Sequence, residues 1–236
     1  MKKWLTHHYY KLPVIRHLNE IIWANVYSDS IRGYSFLNDL SLNIGRFACN
    51  YTLLYLTHRI VNSVKPKRVL EIGLGESTKF LSTFINHTLD DCKHFVVEHN
   101  KEWISFFPSS SLYDCTEIKY FEVEKSTFNE KYNSLNYIGF ETLSSYGTYE
   151  VIIIDGPHGT KNFSRNDVLQ NLEHLIDFNN FTIVFDDTNR SGELQTYKAM
   201  LKKLKTLGVK FGTTRYYGSK IVSIIYSDNY KYFESL

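Results

Sequence analysis

Two apolar runs in this chain end on acids. Glu-Val-Ile-Ile-Ile-Asp (150–155) closes on Asp155, and Phe-Thr-Ile-Val-Phe-Asp-Asp (181–187) closes on Asp186 and Asp187. Three carboxylates at adjacent strand ends are costly to hold together unless a cation neutralises them. An oxygen-only donor set suits Mg²⁺ or Mn²⁺, with water and substrate oxygens completing the shell. Asp155 is followed three residues on by His158, an imidazole placed where it could take a proton. Each residue also has a plainer reading: His158 as a turn residue, Asp186 and Asp187 as a helix cap and a surface charge.

A second constellation lies upstream. Val-Leu-Glu-Ile-Gly-Leu-Gly-Glu-Ser-Thr (69–78) reads as a strand carrying Glu71, a tight turn through Gly73 and Gly75, and a helix starting at Ser77 or Thr78. Glycines let a ligand approach the backbone, and the helix offers its free N–H groups there. Glu71 would repel a pyrophosphate but suits a cationic amine. Glu98 ends the next apolar run, where a carboxylate can bind both hydroxyls of a ribose. A nicotinamide dinucleotide fits less well, because Thr78 stands where the third glycine of Gly-x-Gly-x-x-Gly would be. Together the two acids and two glycines favour S-adenosylmethionine (SAM), with Ser77 and Thr78 capping the helix or reaching the methionine carboxylate. Trp103 and Phe121 could flank an adenine or belong to the core.

The order of elements must bring these residues together. Helical periodicity covers 14–27 and 47–63, and Pro66 stops it. From there strands (68–72, 94–98, 117–123, 150–155, 181–186) alternate with helices (78–86, 101–107, 165–176, 193–207). Strands at 209–214 and 221–226 follow. Runs such as Val-Ile-Ile-Ile mark strands buried on both faces, hence a mainly parallel sheet covered by helices. No helix fits between the last two strands, so they should pair as an antiparallel hairpin, with Tyr216, Tyr217 and Gly218 in its loop. The expectation is a Rossmann-like, doubly wound α/β fold of seven strands ending in that hairpin. Residues 65–236 form its domain, preceded by an N-terminal helical extension or lid, 1–64. Ligands then collect at the carboxyl ends of the strands.

Bulk properties limit the function classes. The chain has 236 residues and a net charge of +2, which does not mark a general nucleic-acid binder. The three scattered cysteines and the lack of a signal peptide fit a cytoplasmic protein with reduced thiols. No apolar run reaches the roughly 20 residues of a membrane span. The first 16 residues are basic and aromatic (Lys2, Lys3, Trp4, His7, His8, Tyr9, Tyr10, Lys11, Arg16), a composition open to peripheral membrane or partner contact, or to simple solvation. Eighteen tyrosines suit a polar ligand or an aromatic core.

Over about 66–226 the chain resembles class I SAM-dependent methyltransferases. Within them it is similar to metal-dependent O-methyltransferases of the catechol and macrolide-sugar types. That resemblance implies a metal on Asp155, Asp186 and Asp187, and His158 as base. A more local resemblance is to glucuronoxylan 4-O-methyltransferases and related polysaccharide-biosynthesis proteins. It is carried by Gly73 to Ser77, by Glu98 to Trp103, by Asp155 to Gly159 with Arg165, and by Asp187, Arg190 and Glu193. The chain departs from those enzymes at His158, where they carry arginine, and at Asp186, where they tend to have histidine. The resemblance implies methyl transfer to a carbohydrate hydroxyl. Arg165 and Arg190 could grip a substrate carboxylate or phosphate, or could brace loops against Asp167 or Glu193. Asn43, Gly45 and Arg46 could reach the cleft from the N-terminal segment, or simply pack against the sheet face. A small-molecule acceptor or a non-catalytic scaffold in glycan assembly are the other readings, and the oligomeric state is not legible.

Overall fold

A computed structural model describes residues 12–45 and 49–236, except the side chain of Ser109. The basic aromatic stretch through Lys11, and Arg46, lie outside the described residues. Seven strands form one sheet in the order β3-β2-β1-β6-β7-β9-β8. They are β1 (Arg68–Ile72), β2 (Lys93–Glu98), β3 (Thr116–Tyr120), β6 (Val151–Ile154), β7 (Thr182–Phe185), β8 (Phe211–Tyr217) and β9 (Ile221–Ser227). The first five are parallel, and β9 runs antiparallel to both β7 and β8. This is the Rossmann-like sheet with a closing antiparallel hairpin that the alternation of runs predicts.

Side-chain alternation along the strands feeds two cores. Val69, Val151, Ile153 and Val184 point to one face, covered by α1 (Pro13–Ile31), α2 (Tyr51–Val64) and α3 (Glu76–Thr88). Leu70, Ile72, Ile152, Ile154 and Ile183 point to the other, covered by α5 (Asp167–Leu175) and α6 (Ser191–Thr206). The short α4 (Lys101–Phe106) follows β2. Helix α2 belongs to the first core: Leu53, Leu54, Leu56, Ile60 and Val61 are fully buried. Asn50 caps it, accepting from the Leu53 N–H at 3.0 Å. Among the described residues no helix is long and apolar enough to cross a membrane.

Four local expectations need correction. The third strand ends at Tyr120, and Val123 opens an antiparallel hairpin, β4 (Val123–Phe128) with β5 (Tyr132–Tyr137), that the periodicity does not show. Its turn holds Asn129 and Glu130 at φ 52° and 56°, and glutamate there hides the usual turn signal. Tyr216 and Tyr217 lie in β8 rather than in the loop, and the Tyr216 hydroxyl donates to the Phe233 carbonyl at 2.9 Å. The helix after β6 starts at Asp167, leaving Arg165 in a turn at φ 56°. The helix after the glycine turn starts one residue early, at Glu76.

Candidate active site

A cavity of about 580 Å³ opens at the carboxyl ends of β1, β2, β6 and β7. That is the place where a doubly wound sheet reverses its winding and binds ligands. Gly73 makes the close approach possible: it lies at φ +108°, with its Cα where a Cβ on Gly156 would come within 3.0 Å. The turns after β1 and β6 therefore touch backbone to backbone, which requires glycine at both. Gly75 faces open space at the start of α3, and its N–H donates to Thr78 Oγ1 at 3.0 Å.

Glu98 lines the cavity at the end of β2. Its Oε1 accepts from the N–H groups of His99 and Asn100 at 2.7 and 2.8 Å, and its Oε2 from the Leu74 N–H at 3.1 Å. Burial alone would raise its pKa. The hydrogen bonds from His99, Asn100 and Leu74 outweigh that and hold it below the usual value, so the carboxylate is charged. Trp103 also lines the cavity, its indole N–H fixed on the Leu74 carbonyl at 2.7 Å. Phe121 packs on the core beside Tyr137 instead.

Gly73, Gly75, Ser77 and Glu98 share this wall; Glu71 and Thr78 do not line it. The pleat is the reason for Glu71. It points to the same face as Val69, under α3, fully buried, where it accepts from Ser77 Oγ at 2.5 Å and pairs with His94 Nε2 at 3.1 Å. It therefore faces the cavity only through Ser77. Thr78 is turned back to cap Gly75.

The other end of the cavity is charged. Asp155, Asp186 and Asp187 converge, each offering an oxygen within 4.8 Å of the others. Asp155 and Asp187 line the cavity, with Asp186 just behind. Two cations enter the group. Arg165 spans Asp155 Oδ1 (3.2 Å) and Asp187 Oδ2 (3.3 Å), and its Nε donates to the Pro157 carbonyl. Lys220, from the loop between β8 and β9, reaches Asp186 Oδ2 at 2.8 Å and stands 4.0 Å from Asp187 Oδ1. Arg190, half-exposed, adds a contact to Asp187 Oδ2 at 3.1 Å and lies 4.0 Å from Glu193. Arg165 thus serves the acid cluster directly and pairs with neither Asp167 nor Glu193, while Arg190 lines the cavity and meets these acids through Nη1.

Burial first, and the neighbouring Asp186 second, push the Asp155 carboxyl up to about 7; Asp187 rises for the same reasons. Burial would lower Lys220, but Asp186, Asp155 and Asp187 outweigh it and raise its pKa. Asp187 Oδ1 and Asp186 Oδ1 are buried without a hydrogen-bond partner among the described residues. Those two open oxygens, both hard donors, fit a small dication. The three cations nearby lower the electrostatic demand for one.

His158 lines the cavity and is exposed, with its ring edge-on to His99 at 5.5 Å. The wall also holds residues that no local pattern marks: Cys49, His99, Tyr137 and Lys220. Tyr137 comes from the unforeseen hairpin, anchored where Asp167 Oδ1 accepts from its N–H at 2.9 Å. Its own hydroxyl is buried with no hydrogen-bond partner among the described residues, available to a bound molecule. Asn43 lines the wall, its N–H donating to Glu76 Oε2 at 3.0 Å.

No known family profile and no curated protein matches the sequence. Solved structures do match. An O-methyltransferase from Bacillus cereus in complex with SAH aligns over 92% of this chain and 100% of its own, with TM-score 0.56 and 11% identity. A candidate caffeoyl-CoA O-methyltransferase from Staphylococcus aureus covers 89% and 100% (TM-score 0.52, 15% identity). A methyltransferase from Geobacter sulfurreducens covers 87% of each chain (0.51, 13%). The chain has the class I SAM-dependent methyltransferase fold. At these identities the likeness establishes the fold alone, so the chemistry rests on the residues of the cavity.

Proposed function

We propose that the chain is a SAM-dependent O-methyltransferase acting on a hydroxyl of a carbohydrate. One observation carries the reading: a single cavity has a ribose-type carboxylate (Glu98) and an open glycine turn at one end, and a charged acceptor end at the other. In this reading Glu98 holds the ribose hydroxyls, Trp103 flanks the adenine, and the Gly73–Gly75 backbone meets the methionine part. Glu71 acts behind Ser77, steadying the hydroxyl that faces the cofactor.

The acceptor end is built for a polar molecule. Asp155, Asp187, Arg190, His158 and Lys220 surround it, and Arg190 suits a carboxylate or phosphate on a uronic acid or nucleotide-sugar. His158 accepts the hydroxyl proton as the acceptor oxygen attacks the sulfonium methyl in line. The C–S electron pair stays on sulfur, giving SAH, and the orientation of the two molecules provides much of the rate. Mg²⁺ or Mn²⁺, if held by Asp155, Asp186 and Asp187, would lower the pKa of a coordinated hydroxyl. The sugar-methyltransferase resemblance at Asp155–Gly159, Arg165, Arg190 and Glu193 favours a carbohydrate over a catechol-type acceptor.

The test is mass spectrometry of nucleotide-sugars, glycans and catechols incubated with the protein and SAM, with and without chelator. A gain of one methylene on a sugar supports the reading. Gain on a catechol alone moves the acceptor class, and no SAH from any acceptor, with no SAM binding, overturns it. Activity unchanged by chelator removes the metal and leaves Lys220 and Arg165 as the cluster's cations.

A further inference from the structure

The outer face of α1 is apolar where none of the described residues covers it. Its inner face is well used. Trp23, Val26, Tyr27 and Ile31 pack on the first core, and the Trp23 indole N–H donates to the Tyr217 carbonyl at 3.1 Å. Opposite them, Val14, Leu18, Ile21 and Ile22 recur at three- and four-residue spacing, each more than half exposed. Further along the same stripe come Asn25, Ser28 and Asp29, also exposed. The apolar surface is therefore confined to the N-terminal half of the helix.

The charge is just as one-sided. Residues 1–32 contain Lys2, Lys3, Lys11, Arg16 and Arg32, three histidines, and two acids, Glu20 and Asp29, the latter paired with Arg32 at 3.0 Å. Glu20 is turned inward, where its carboxylate accepts from Asn50, Thr52 and Ser219. Trp4, Tyr9 and Tyr10 accompany the lysines. Apolar side chains, interfacial aromatics and a net excess of positive charge together match the chemistry of an anionic bilayer surface. A second copy of the chain matches less well. Four aliphatic side chains on one helix present on the order of 400–500 Å², about half of what each partner of a stable complex contributes.

We propose that α1 docks the protein on an anionic membrane surface, lying in the interface with Val14, Leu18, Ile21 and Ile22 toward the lipid. The inference stands independently of the acceptor reading. It adds a geometric consequence, because Glu20 ties the helix to Asn50 and Ser219, the neighbours of the cavity residues Cys49 and Lys220. Docking thereby holds one rim of the cavity at a fixed height above the lipid, as an acceptor carried on a membrane would require.

Co-sedimentation of the full chain with vesicles tests this. The protein should pellet with phosphatidylcholine–phosphatidylglycerol vesicles, weakly with phosphatidylcholine alone, and less at high salt. Leu18→Ser/Ile21→Ser/Ile22→Ser should weaken binding roughly tenfold or more, with circular dichroism and thermal midpoint unchanged. Lys2→Glu/Lys3→Glu/Lys11→Glu, which alters no described contact, should weaken it as well. The proposal is overturned if the wild type stays in the supernatant with both vesicles, or if neither variant changes binding. It is equally overturned if light scattering shows a dimer that the serine variant dissolves.

Discussion

Glu98→Gln isolates the cofactor claim with one atom pair. The carboxylate is fixed by three N–H groups: Oε1 accepts from His99 and Asn100 at 2.7 and 2.8 Å, and Oε2 from Leu74 at 3.1 Å. These bonds keep it charged. Oε1 is saturated by its two N–H donors and stands 2.9 Å from His99 Nδ1, so Oε2, with a single donor, is the oxygen that keeps a lone pair for a ribose hydroxyl. Glutamine can keep the Oε1 position as a carbonyl. Its amide nitrogen must then face the Leu74 N–H, donor against donor, and offers the ribose no acceptor. A hydrogen bond to a charged group contributes about 1.5–3 kcal/mol. Losing that one bond comes to about 1.5–3 kcal/mol, a roughly 10- to 150-fold rise in Kd. Isothermal calorimetry with SAH reads this directly, and a thermal melt of the free protein checks the turn. A Kd within about threefold of wild type, measured on a protein with a lowered midpoint, would refute the reasoning. Glu98 would then be a staple between two loops and not a ribose ligand.

Three other outcomes follow from the same structure. Lys220→Met leaves Asp186 buried without its cation and should lower stability by about 3–5 kcal/mol; an unchanged urea midpoint would remove that ion pair from the account. His158→Ala should reduce the methyl-transfer rate by roughly 10²–10⁴-fold with SAH affinity intact, and an unchanged rate would take it out of the mechanism. His58 is 2% exposed among Tyr34, Phe80 and Phe84, and burial first, with Arg59 second, lowers its pKa from 6.5 to about 4. A lowered folded value means the contribution is complete above pH 6.5 and fades as pH falls toward 4, about 3 kcal/mol in all. His58→Phe should remove that part of the acid slope, which urea titrations at both ends of the window would show.

Much of the site can be read along the chain because its parts are local. The β-branched runs, Gly73 with Gly75, and the acids closing their strands each sit within a few residues of the backbone feature that positions them. Parallel neighbours then follow from the alternation of strands and helices, which is why β1, β6 and β7 lie side by side as expected. The hairpin carrying Tyr137 escaped because its turn uses Asn129-Glu130, and because its strands are polar and only half-buried, leaving little periodicity to see.

Sequence alone determined the sheet, the glycine turn and the meeting of three carboxylates, since local periodicity and strand-end position encode them. Tertiary structure alone decided how those carboxylates are held. Lys220 reaches Asp186 across 34 positions of chain, Arg165 enters from a left-handed turn, and the pleat rotates Glu71 away beneath α3. Coulomb attraction acts through space, so a cation's partner cannot be read from its neighbours in the chain. The face a strand residue presents becomes meaningful only once the layers on both sides are in place.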